Sequence, residues 1–97
     1  MRIISRKMLK EFWERHPDAE QALLAWHADV KRANWRSPSD IKRDYKYASF
    51  LANNRVVFNV KGNSYRLVAA VQYDFGIVYI RFVGTHQEYD YIDAVTV

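Results

Sequence analysis

Apolar residues recur at helical spacing in the first half of the chain and alternate with polar ones in the second, which predicts helices followed by strands. "MRII" can form a short edge strand, after which Ser5 can cap a helix carrying Met8, Leu9, Phe12 and Trp13 on one stripe. That helix should stop at His16-Pro17, because the residue before a proline is pushed out of the helical region. Pro17 is well placed to open a second helix. Asp18 and Glu20 fall in its positive first turn, and Ala19, Ala22, Leu23, Trp26, Val30 and Ala33 make one apolar stripe. The pair reads as a helical hairpin. In "NWRSPSDIKRDYKY", Ser37-Pro38 offers a cap and a first position for at most one helical turn, and residues 34–46 otherwise read as loop.

From Asn53-Asn54, a turn, the chain changes to "RVVFNV", "SYRLVAAVQY" and "IVYIRFV", three runs rich in β-branched and aromatic residues. "KGN" and "DFG" between them suit hairpin turns, so the three strands should be antiparallel. Strict alternation places Val56, Phe58, Val60, Tyr65, Leu67, Ala69, Val71, Tyr73, Val78, Ile80 and Phe82 on one face, a surface for the helical hairpin to cover. The other face receives Arg55, Val57, Asn59, Arg66, Val68, Ala70, Gln72, Tyr79, Arg81 and Val83. "THQE" then fits a capping box, in which Thr85 and Glu88 bond each other's backbone amides, so a short helix should begin at His86. The expected fold is α+β: an N-terminal helical hairpin on one face of a curved, mainly antiparallel sheet, with a short C-terminal helix.

At 97 residues, 49% of them hydrophobic and 15% aromatic, the chain can bury one core but not two, so 1–97 is expected to be a single domain. It contains no cysteine, which removes disulfides, thiolate nucleophiles and Cys-ligated zinc and suits a reducing compartment. No signal-peptide pattern or run of membrane-spanning length is present, so a cytoplasmic protein without membrane contact is expected. The net charge of +4 suits a polyanionic partner.

Placing the charges sharpens this. Arg55, Arg66 and Arg81 come from three different strands to one face and would repel one another if left unpaired. They can pair with local acids such as Asp74, Asp90 or Asp93, solvate an open sheet face, or bind a phosphate chain. His86, Glu88, Tyr89 and Asp90 form a dense ionisable group directly after the strand carrying Arg81. Metal-free RNA cleavage needs a base to deprotonate the 2′-hydroxyl, cations for the phosphorane and an acid for the leaving oxygen. Histidine, with an unperturbed pKa near ~6.5, can fill either proton-transfer role, although His86 equally suits a plain surface position. His16, His27 and His86 are too scattered for a zinc motif, and no metal or other cofactor is expected. Lys61 projects from a hairpin turn and can reach a phosphate or remain solvated. Tyr45, Tyr47 and Phe50, interleaved with Lys42, Arg43 and Lys46, can stack bases, but anchoring a loop on the domain is the preferred reading.

"VVFNVKGNSYRLVAAV" followed by "VYIRFVGTHQEYD" closely resembles the HigB family of bacterial type II toxins, within the RelE-like superfamily. "RKMLKEFWERHPDAEQALLAW" and "WRSPSDIK" fit as well, so the resemblance covers nearly the whole chain. It implies a RelE-like fold and an mRNA interferase acting on the translating ribosome, silenced by a HigA-type helix-turn-helix antitoxin through which alone it would meet DNA. The residues matching the family's motif are Asn59, Asn63, Arg66, Arg81, Thr85, His86, Glu88, Tyr89 and Asp90. On that pattern Arg66 and Arg81 hold the scissile phosphate, His86 or Tyr89 transfers protons, and Arg55, Asn59, Lys61 and Asn63 bind RNA. The competing expectation is a non-catalytic toxin or binding module, since related ParE-like folds inhibit gyrase.

Overall fold

The computed structural model describes residues 1–97. Strand β1 (Arg2–Ile4) leads into helix α1 (Lys7–Arg15), and a 3₁₀ turn at Pro17–Ala19 joins it to α2 (Glu20–Arg32). Helix α3 (Pro38–Asp44) precedes β2 (Ser49–Phe50), β3 (Arg55–Val60) and β4 (Tyr65–Gln72). A second 3₁₀ turn, Tyr73–Phe75, leads to β5 (Ile77–Thr85) and the final helix α4 (His86–Tyr89). The five strands form one sheet in the order β1-β5-β4-β3-β2, antiparallel except where β1 runs parallel to β5. No helix is long and apolar enough to cross a membrane.

Helices α1 and α2 pack on one face of this sheet through the stripes that the spacing predicts. Leu9, Phe12, Leu23, Trp26 and Val30 are buried against Val56, Phe58, Leu67, Ala69, Val71, Val78 and Ile80. The Phe58 ring is central, with Trp26 edge-on to it at 5.5 Å and Trp35 stacked at 6.1 Å. Burying such side chains stabilises the fold by about 1.5–3 kcal/mol each.

Several local expectations fail for identifiable reasons. Ser5 does not cap α1 with its side chain: its backbone sits at φ 74°, and its carbonyl accepts the Met8 N–H. Pro17 opens a 3₁₀ turn before α2 instead of starting the helix itself. Residues 38–44, expected to be mostly loop, form a seven-residue helix. Pro38 begins it, the Asp40 carboxylate accepts the Arg36 backbone N–H at 2.8 Å, and Ile41 alone is buried, leaving no apolar period to read. Strand β2 was also invisible, because only two residues pair. Asn53 and Asn54, at φ 60° and 59°, turn it back onto Val56 and Val57.

The largest departure lies in β5. Val68 pairs with Phe82 but Ala69 pairs with Ile80, so Arg81 is the extra residue of a β-bulge. Alternation reverses beyond it. Phe82, expected on the helix-covered face, lies on the other, and Val83 takes the helix side. Nor is the second face open: Ala94, with Leu51, Phe82, Tyr89, Ile92 and Val97, covers Val57 and Val68.

Candidate active site

Arg66 lies at the start of β4, on the face away from α1 and α2. Its guanidinium donates to the carbonyls of Asn63 and Tyr65, at 3.1 and 3.2 Å, and approaches the Asn63 side-chain oxygen at 3.4 Å. One strand neighbour is Asn59 and the other is Gly84. A Cβ at Gly84 would lie 2.3 Å from the edge of the Phe82 ring, so the glycine lets that ring lie over the strand beside Arg66.

Two residues after Gly84 the chain enters α4. Both bonds of the predicted capping box are made: Glu88 N–H donates to the Thr85 hydroxyl at 3.0 Å, and Thr85 N–H to the Glu88 carboxylate at 2.8 Å. The latter bond, foremost, holds the Glu88 carboxyl below its usual range. The His86 N–H donates to the Ser64 carbonyl, which ties α4 to the turn beside Arg66. His86 is exposed, its Nδ1 3.6 Å from the Asp90 carboxylate, while Tyr89 is half-buried against Phe82. The structure therefore gathers Asn59, Asn63, Arg66, His86, Tyr89 and Asp90 around one end of the sheet.

The remaining cations divide differently. Arg81, standing out at the bulge, donates through Nε to the Val97 carbonyl at 3.1 Å, and its two terminal nitrogens have no protein partner. Arg55 is turned inward: its terminal nitrogens donate to the carbonyls of Asn53 and Val97, at 3.1 and 2.7 Å, and its Nε is buried without a partner. Lys61 reaches back toward the helices, 2.7 Å from the Asp18 carboxylate, which also accepts the Tyr65 hydroxyl at 2.6 Å. Of the local acids weighed for the arginines, none pairs with them; backbone carbonyls do instead. No three His, Cys, Asp or Glu side chains come together as a metal-holding group.

The aromatic run splits in two. Tyr45 anchors the loop: its ring packs edge-on to Phe58 at 5.2 Å, its hydroxyl donates to Asp29, and burial, then Asp29, pushes its phenol pKa up. Tyr47 is 73% exposed. The residues that sequence reasoning missed are those covering the second face, Ile92, Ala94 and Val97. Their only signal is apolar character in a short terminal run, too brief to carry a period.

A family model described as HigB toxin, the RelE-like toxic component of a toxin–antitoxin system, matches residues 19–92. The chain is 34% identical to the "mRNA interferase toxin HigB" of Escherichia coli strain K12 over 98% of its own length and 93% of that protein's. The same identity and coverage relate it to the "mRNA interferase HigB" of Escherichia coli O157:H7 and that of Shigella flexneri.

Proposed function

Since this chain belongs to the HigB family of RelE-like toxins, we propose that it is an endoribonuclease that halts translation by cleaving messenger RNA on the ribosome. Its five-stranded sheet, with α1 and α2 on one face and α4 following β5, is the RelE-like fold. One observation supports the reading most: Arg66 lies at the same end of the sheet as the helix that carries the exposed His86 and the half-buried Tyr89, linked to it through the Ser64–His86 backbone bond. Its strand partner Gly84 makes room for the Phe82 ring, which packs against Tyr89 of that helix.

In this site the scissile phosphate docks on Arg66 and on the free terminal nitrogens of Arg81. The ribose 2′-oxygen attacks phosphorus, its proton passes to a base, and the 5′-oxygen departs with a proton from an acid, leaving a 2′,3′-cyclic phosphate. The two guanidiniums stabilise charge on the phosphorane, the largest contribution available without a metal. His86, 3.6 Å from the Asp90 carboxylate, or Tyr89, seated on Phe82, takes the first proton and returns one to the leaving oxygen. Asn59 and Asn63 contact RNA beside Arg66. Arg55 is turned inward onto the Val97 carbonyl, and Lys61 pairs with Asp18 at the surface. Residues 1–97 work as one cytoplasmic toxin domain, silenced by a HigA-type helix-turn-helix antitoxin.

Primer extension on a message in a translation extract tests this. Wild-type protein should create new 5′ ends and Arg66→Ala should lose them roughly 30- to 1000-fold while remaining folded. Absence of new ends with a folded, inhibitory wild-type protein defeats the enzymatic reading.

A further inference from the structure

Beside the proposed cleavage site is a cleft of about 480 Å³, a size suited to small organic groups. It lies just before β2 begins, where β3 beyond Val57 has no partner from β2. Tyr45, Lys46 and Tyr47 line it together with Asn59, Asn63 and Asp44. Tyr45 is held by Phe58 and Asp29, whereas Tyr47 projects into solvent with the Lys46 ammonium 5.3 Å from its ring centre.

We infer that this cleft is a nucleobase-binding subsite, holding the base of a nucleotide adjacent to the scissile phosphate. The inference rests on the cleavage reading and adds where a base goes. Asn59 is the direct strand partner of Arg66, about 5 Å away along the sheet, and Asn63 touches the Arg66 guanidinium. A phosphate on Arg66 thus lies within one nucleotide's reach of the cleft. Charge decides which end enters. The Asp44 carboxylate, held by the Trp35 indole N–H at 3.0 Å, repels a phosphate but can accept a hydrogen bond from an exocyclic amine of a neutral base. Two asparagine amides supply donors and acceptors for a base edge, and an exposed tyrosine supplies a stacking face. Lys46 attracts the flanking phosphate outside the cleft.

The test uses the full chain and a tetranucleotide carrying 2′-O-methyl groups, which cannot be cleaved, beside the same backbone lacking bases. Wild type should bind the base-bearing form roughly tenfold more tightly, with NMR shifts at Tyr47, Asn59 and Asn63. Tyr47→Ala should lose most of that ratio. Phe75→Ala, an equally exposed ring at the 3₁₀ turn before β5, should keep it. Equal binding of the two forms by wild type overturns the inference. So does a Tyr47→Ala protein that binds RNA normally but escapes its antitoxin, which would make this cleft a protein-docking site. Because the probe is inert, base-dependent binding without message cleavage would sink only the enzymatic reading, and cleavage with base-independent binding would sink only the subsite.

Discussion

At the scale of single residues, Gly84 and Asp18 carry more than their size suggests. Replacing Gly84 with Ala puts a methyl group into the Phe82 ring, which is itself packed with Tyr89 over Val68. Gly84→Ala should cost about 1–3 kcal/mol by urea denaturation, and adding Phe82→Leu should recover part of it. A double variant whose loss is the plain sum of the two would show that the ring does not meet the new methyl. Asp18 accepts hydrogen bonds from Lys61 and Tyr65, and these two donors, Lys61 first, hold its carboxyl below the usual aspartate range. A carboxyl with a lowered folded-state pKa stabilises the fold above its unfolded pKa, near ~3.9, and loses that contribution as pH falls through the folded value. Thermal denaturation across pH 2–7 should therefore show a loss below about pH 4 that is shallower in Asp18→Asn. Identical profiles would mean that the bonds to Asp18 do not persist in solution.

At the scale of elements, the terminal stretch 92–97 and the β5 bulge reshape the face that alternation describes as open. Ala94 is 8% exposed, and with Val97 and Ile92 it shields Val57 and Val68. Ala94→Asp should cost about 2 kcal/mol or more, because a charge would replace a methyl group in this small apolar cluster. Stability equal to wild type would show that the stretch is not seated on the sheet. The helices α1 and α2, three central strands and α4 were legible, since each rests on a period of several apolar residues or on paired caps, and β1 rested on "MRII" alone. Arg66 was correctly turned away from the helices by the same alternation. The bulge was not legible: an added residue in β5 changes no composition and breaks no pattern, since either side of Arg81 alternates perfectly well by itself. Likewise the inward turn of Arg55 depends on carbonyls at Asn53 and Val97, and backbone acceptors have no sequence signature.

At the scale of the whole molecule, the charge of +4 matters less than its distribution. Arg55 is turned inward and Lys61 pairs with Asp18 at the surface, so the proposed RNA contacts fall to Arg66, Arg81 and Lys46. About three phosphate contacts imply that the logarithm of the binding constant falls with log salt at a slope near −2 for single strands. A slope near zero in a fluorescence titration would contradict phosphate docking. The order β1-β5-β4-β3-β2 also has a bearing on the time at which this molecule becomes harmful. The strand β5 sits between the earliest strand and the later ones, so during synthesis β1 has no strand partner until residues 77–85 have emerged. A nascent chain interrupted before residue 77 lacks the strand that joins its two ends, the bulge arginine and the helix bearing His86 all at once. Such a copy cannot close the sheet, so the toxin's fold is complete only once the last strand is in place.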